Sequence, residues 1–261
     1  MGALNVSPES FYGGSVHRDS SALLEAGLAM VAEGAAFVDV GARSTAPYLP
    51  TQISEEEESE RLGAAVAALA GKLSVPVSAD TTRARVARVA LDAGARIVND
   101  VSGLRDPEMG RLARERGASV VLMASPDGTS LGQPLASVLR LLTGALERAR
   151  AAGVPEAQVV LDPGIGFFRQ APVPWDEWDI AVLGGLGALA RLGRPLAVGL
   201  SRKSFLGAVT GRAEPAERLA GSLAATAVAV LNGAALIRTH DVAETLDAVR
   251  VAERLRRAAP G

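Results

Sequence analysis

Polar side chains recur where short apolar runs of this chain end. Asn5 closes the first run and Thr45 follows the second. Asp80 ends the third, Asn99-Asp100 the fourth and Asp162 the sixth. Ser201-Arg202-Lys203 follows the seventh, and Arg238 and His240 stand at the eighth. One polar residue at a strand end ordinarily caps a helix or satisfies a loop. Recurrence at seven ends, far apart in sequence, points to a shared site. Asp80, Asn99 and Asp162 offer acceptors and donors suited to a flat heterocycle bearing several N–H groups and ring nitrogens. Lys203 and Arg238, with His240, suit a phosphorylated or otherwise anionic group. Asn5 is a hard oxygen donor able to join phosphate oxygens around Mg²⁺.

Convergence of these residues needs a scaffold that gathers strand ends. Apolar strands are expected at Gly2–Val6, Phe37–Gly41, Val75–Ala79, Arg96–Val101, Ser119–Met123, Val159–Asp162, Leu196–Gly199 and Ala235–Thr239. Helical patterns separate them at Ser20–Gly34, Glu55–Leu73, Ala84–Ala93, Pro107–Arg116, Ser137–Ala152, Trp178–Leu192 and Ala216–Asn232, with Ala243–Ala258 last. Eight such alternations predict an α/β protein, a (β/α)₈ TIM barrel formed as a single domain over residues 1–261. The first strand starts almost at Met1, so a missing part of that strand is an expectation. Gly-Ala pairs such as Gly94-Ala95 and Gly117-Ala118 read as helix C-caps. Ser54 before Glu55, Glu56, Glu57 and Glu58 reads as an N-cap followed by solvated acids facing the helix dipole. The polar segments Ser7–Ser20 and Ala42–Ile53 read as lids over the barrel mouth.

Composition narrows the function. The 261 residues carry a net charge of −2, which gives no electrostatic reason to expect nucleic acid. There is no cysteine, which excludes disulfides and thiolate chemistry. Neither a signal segment nor a bilayer-spanning run is evident, so a cytoplasmic location without membrane partners is expected. Only Lys72 and Lys203 among the 27 basic residues are lysine, which makes Lys203 inside a motif notable.

With these residues in place, a resemblance emerges. Gly2-Ala3-Leu4-Asn5-Val6-Ser7-Pro8-Glu9-Ser10-Phe11 resembles the opening motif of the dihydropteroate synthases. Asp80-Thr81, Asn99-Asp100-Val101-Ser102-Gly103, Asp162-Pro163-Gly164-Ile165-Gly166-Phe167, Ser201-Arg202-Lys203-Ser204-Phe205 and Arg238-Thr239-His240-Asp241 resemble its later motifs in order. Each motif is short; six in sequence, each at an expected strand end, are specific. The resemblance implies condensation of 6-hydroxymethyl-7,8-dihydropterin pyrophosphate with para-aminobenzoate, giving 7,8-dihydropteroate and pyrophosphate in folate biosynthesis. It implies a pterin site of Asp80, Asn99, Val101, Met123, Asp162, Phe167 and Lys203, with Asp80, Asp162 and Lys203 catalytic. It places pyrophosphate at Asn5, Arg238 and His240, Mg²⁺ at Asn5, and aminobenzoate at Thr45, Phe167, Lys203 and Ser204, with Phe11 nearby. A homodimer is the implied assembly. An SN1-like displacement follows from the chemistry: the aryl amine needs no deprotonation, so C–O cleavage is the hard step.

The chain also departs from the family pattern. Gly41-Ala42-Arg43-Ser44-Thr45-Ala46-Pro47 stands where the family usually reads Gly-Gly-Glu-Ser-Thr-Arg-Pro. Ala46 replaces an arginine, and Arg43 either takes over an anion contact or forms a surface ion pair. Ala124 follows Met123 where a histidine is common, and Phe167-Phe168-Arg169-Gln170 replaces a Phe-Gly-Lys-Thr type sequence. His17 reads as solvated, Trp175 and Trp178 as packing residues, Asp39 as a tie between barrel layers and Asp100 as a loop buttress. Ala220–Leu231 reads as a buried helix or a dimer face. Two other functions share the pterin grip: a methyltetrahydrofolate-binding methyltransferase barrel, and a non-catalytic pterin-binding paralogue. An anion clamp around Lys203 favours the synthase over the first.

Overall fold

The computed structural model describes residues 1–7, 20–44 and 53–258. Eight parallel strands pair in chain order: β1 (Gly2–Asn5), β2 (Val38–Gly41), β3 (Val77–Asp80), β4 (Ile97–Asp100), β5 (Ser119–Met123), β6 (Val159–Asp162), β7 (Leu196–Gly199) and β8 (Ala234–Arg238). The sheet closes on itself, because Gly2 bridges to Thr239. Ala3 N–H donates to the Thr239 carbonyl at 2.8 Å, and Thr239 N–H donates to the Met1 carbonyl at 3.0 Å. This is the expected (β/α)₈ barrel.

Helices α1 (Ser20–Ala32), α2 (Glu55–Leu69), α3 (Ala84–Asp92), α4 (Pro107–Arg116), α5 (Pro134–Ala152) and α6 (Trp175–Gly184) each follow one of the first six strands. Two helices, α7 (Ser204–Thr210) and α8 (Leu219–Leu231), follow β7, and α9 (Val242–Ala258) follows β8. Their ends obey local chemistry. Ser54 accepts the Glu57 N–H at the start of α2, and Asp106 accepts from Glu108 beside Pro107 at the start of α4.

Strand alternation divides the core. Val38, Val40, Ala79, Val98, Leu122, Leu161 and Val198 are buried in one cluster with helix residues such as Leu62, Val66 and Leu142. Each leucine fully buried there stabilises the fold by about 2–3 kcal/mol relative to exposure. The intervening positions Asp39, Asp80 and Asn99 face the barrel interior instead, where they meet Arg238 or one another.

Two helix expectations are corrected. The expected Trp178–Leu192 helix starts at Trp175 and ends at Gly184, and a 3-10 stretch covers Leu186–Leu192. The Gly184-Gly185 pair interrupts it, as the conformational freedom of two successive glycines allows. The expected Ala216–Asn232 helix is a 3-10 turn at Pro215–Arg218 followed by α8, and α7 was not anticipated. Its seven residues adjoin the Ser-Arg-Lys-Ser motif and are too few to display a helical period.

Candidate active site

Strand register sets the site. Asn5 pairs with Gly41, Gly41 with Asp80, and Asp80 with Asn99, one row across the carboxyl ends of β1 to β4. A Cβ at Gly41 would stand 3.5 Å from Asn5 Oδ1 and 3.7 Å from Asp80 Oδ2. A Cβ would be in ordinary contact there, and glycine leaves that space between Asn5 and Asp80 open. On the far side Met123 pairs with Asp162, and Gly199 with Arg238.

Asp39 is the hidden centre of this row. It is wholly buried. Its Oδ2 accepts from Arg238 Nε at 2.8 Å and from Asn99 Nδ2 at 3.2 Å. Arg238 Nη2 reaches Asp80 Oδ2 at 3.3 Å. One guanidinium thus serves two buried carboxylates, and it retains further N–H groups for a ligand. Asp39 Oδ1 and Asp80 Oδ1 are buried and have no hydrogen-bond partner among the described residues. Burial, reinforced by Asp39, pushes the Asp80 carboxyl up to about 7 against the pull of Arg238. Burial alone would lower Arg238, but Asp39 and Asp80 overturn that and hold it above its ordinary value.

The opposite wall comes from β6, β7 and β8. Asp162 Oδ1 accepts the Gly164 N–H at 2.7 Å. Burial raises the Asp162 carboxyl, opposed by Lys203. Burial lowers Lys203, opposed by Asp162 and Asp179. Lys203 Nζ donates to the Ile165 carbonyl and lies 5.1 Å from the Phe167 ring centroid. Gly166 has φ +89°, and a Cβ there would press to 3.1 Å from Lys203 Cδ. Glycine lets this loop pass the lysine. Ser201 Oγ is 3.0 Å from His240 Nδ1. Burial, with Arg238 second, pushes His240 down to about 3. Arg202, with φ +56°, grips Asp241 through Nε at 3.0 Å and Nη2 at 2.6 Å.

The second loop is anchored differently from expectation. Glu58, expected among solvated acids, is fully buried. It accepts from Arg43 Nε at 3.1 Å, Thr81 Oγ1 at 2.7 Å and Arg83 Nη1 at 2.8 Å. Arg43 Nη2 also donates to Thr82 Oγ1 at 3.1 Å. The ion pair of Arg43 is therefore half-buried, and Arg43 also lines a cavity of about 860 Å³ together with Val101, Met123, Phe167 and Arg169. Glu58 carried no motif. Glu58 did carry a signal, because it falls in phase with the buried Leu62, Ala65 and Leu69 of α2.

Other expectations fall out as follows. Asp100 buttresses a loop, accepting from Ser102 N–H at 2.8 Å and Leu104 N–H at 2.7 Å. Trp178 packs against Phe168 with centroids 4.8 Å apart, and Trp175 lies under Arg169. On α8, Ser222, Ala225, Thr226, Ala229 and Val230 are buried, while Val228 and Leu231 are exposed. Thr45, Ala46, Phe11 and His17 lie outside the described residues. No helix of the described residues is long and apolar enough to cross a membrane.

Asp80 gives a pH prediction. Its folded value is raised, so its stabilising contribution is complete below about pH 4 and is lost as pH rises through 7. Unfolding free energies of the protein and of Asp80→Asn, measured from pH 4 to 8, should therefore converge or cross as pH rises, to the variant's advantage. Parallel curves would contradict the assignment.

Comparison with known proteins gives the family. A family described as "pterin binding enzyme" matches residues 1–240. The dihydropteroate synthase of a Synechocystis strain is 38% identical, covering 98% of this chain and 89% of that protein. The structure of Xanthomonas albilineans dihydropteroate synthase with 4-aminobenzoic acid superposes with a TM-score of 0.89 at 37% identity, covering 100% of this chain and 93% of that one. The same enzyme in complex with 7,8-dihydropteroate gives 0.85 at 36% identity, covering 100% and 94%.

Proposed function

The chain belongs to the dihydropteroate synthase family of pterin-binding enzymes, and from that premise we propose how its own residues carry the reaction. It is a transferase that joins a pterinylmethyl group to para-aminobenzoate, making dihydropteroate and pyrophosphate. The observation that carries this reading is the meeting of Asp80, Asn99 and Asp162 with Lys203 and Arg238 at one barrel mouth.

Asp80, Asn99, Asp162 and Lys203 hold the pterin, the carboxylates accepting its N–H groups. Val101, Met123 and Phe167 border the ring faces. The C–O bond to pyrophosphate breaks first, its electron pair leaving with the phosphate oxygen. Positive charge left on the pterin methylene is stabilised by the ring and by the Asp162 carboxylate. Arg238 and His240, with Arg43 from the second loop, stabilise the departing pyrophosphate. The aminobenzoate, bordered by Phe167, Lys203 and Ser204, then forms the C–N bond through its nitrogen, and the proton that nitrogen loses passes to pyrophosphate or water.

Mg²⁺ is compatible with the residues present. The described residues hold no group of three His, Cys, Asp or Glu side chains suited to a metal. A magnesium ion carried by substrate phosphates needs only one or two protein oxygens. Asn5, beside the opening at Gly41, would supply one through its amide oxygen. The bound ion would add Lewis-acid stabilisation of the leaving group. The exposed Val228 and Leu231 of α8 support a homodimer built on that helix, and a cytoplasmic location is part of the same reading.

The test is direct. Dihydropterin pyrophosphate and para-aminobenzoate should yield dihydropteroate and pyrophosphate in equal amounts; tight pterin binding without turnover would favour the non-catalytic reading. With the amine omitted, ¹⁸O in the bridging position should scramble into non-bridging positions. Cleavage strictly dependent on the amine would replace the dissociative route with direct displacement.

A further inference from the structure

Among the described residues, Arg43 and Arg169 are the two arginines lining the 860 Å³ cavity. Arg43 is tied to Glu58 and Thr82. Arg169 comes from the loop after β6, where the sequence reads Phe167-Phe168-Arg169-Gln170. Its guanidinium lies over the Trp175 ring, 4.1 Å from the centroid. Nε donates to the Gly166 carbonyl at 3.3 Å, and Nη2 donates to Ser204 Oγ. The indole fixes the plane of the fork, and the carbonyl and hydroxyl fix its rotation. Ser204 and Lys203 are neighbours in sequence, so two cations and a hydroxyl meet at this corner, with the Phe167 ring beside them. This corner is built on the loops that follow β6 and β7.

We propose that Arg169 is a specificity-determining residue that reads the carboxylate of the amine substrate. The inference rests on the synthase reading and deepens it at the acceptor end. An aromatic wall for the benzene ring and a planar cationic fork for its carboxylate are what an aminobenzoate requires, since carboxylate and guanidinium match in geometry. An uncharged arylamine of the same shape would fill the ring wall and leave the fork without its anion.

The experiment compares para-aminobenzoate with para-aminobenzamide as acceptors, at saturating dihydropterin pyrophosphate. The unaltered protein should prefer the acid strongly. Arg169→Gln should raise KM for para-aminobenzoate about 30-fold, the effect of losing one charge-assisted contact. The KM for the pterin substrate should stay within about twofold, and the preference for acid over amide should collapse. Arg169→Lys, which restores charge without the fork, should recover part of the preference. Should either variant be unstable, the other still reads the acid-to-amide ratio. Retention of the full preference in Arg169→Gln would overturn the inference while leaving the synthase reading intact. Failure of the unaltered protein to turn over either amine would overturn both.

Discussion

Asp162→Asn is expected to lower kcat/KM for dihydropterin pyrophosphate by about three orders of magnitude while leaving the barrel folded. The substitution is isosteric, and an amide oxygen can still accept the Gly164 N–H that Asp162 Oδ1 takes at 2.7 Å. Two other things are lost. The amide nitrogen turns a donor toward pterin N–H groups, an unpaired buried contact of roughly 1–3 kcal/mol. The negative charge that favours the cationic methylene also disappears, in a site where burial strengthens electrostatics. Together roughly 4 kcal/mol is at stake, which is about a thousandfold in rate. Lys203 loses its principal charge partner at the same time. Steady-state kinetics beside calorimetric pterin titration would separate the two losses. A decline below tenfold in kcat/KM would remove Asp162 from both roles.

Glu58→Ala should cost the fold about 3–5 kcal/mol, the usual penalty for removing one partner of a buried ionic cluster. The carboxylate is wholly buried and holds Arg43, Arg83 and Thr81 together. Without it, two guanidiniums face one another with their shared anion gone. For a chain of this size the midpoint of thermal unfolding should drop by roughly 10 °C. Denaturant titration checks the free energy directly, and a loss below about 1 kcal/mol would show the cluster to be nearly neutral. Arg43 would lose its aim as well, so turnover of the remaining folded protein should show a raised KM for the pyrophosphate substrate.

Much of this was legible in the sequence, for reasons that specific residues illustrate. Asp80, Asn99 and Asp162 stood out because a polar residue ending a β-branched run breaks a pattern that burial on both faces imposes. The exact agreement at Val159–Asp162 has the same origin. Interior contacts were less legible. Asp39 reads as a tie between barrel layers, but its partner was not legible, because only closure of β8 onto β1 brings Arg238, 199 positions away, against it. Glu58 was masked by Glu55, Glu56 and Glu57, which do face solvent or its edge, although its helical phase distinguished it. Arg169 stood in the segment that departs from the family pattern, but its stacking on Trp175 was not legible, because it depends on where α6 begins. The short α7 escaped because seven residues cannot establish a period against the neighbouring loop.

Arg202 has one more consequence. A left-handed backbone costs a non-glycine residue about 1–2 kcal/mol, yet Arg202 adopts φ +56°. It is held there by Asp241, by the Pro215 and Ala216 carbonyls and by Ser222. Those bonds lace the loop carrying Lys203 to the loop carrying His240. Their conformational entropy is therefore surrendered when the chain folds, not when substrate arrives. This side of the mouth is preorganised, and its affinity for a ligand is correspondingly free of an ordering penalty.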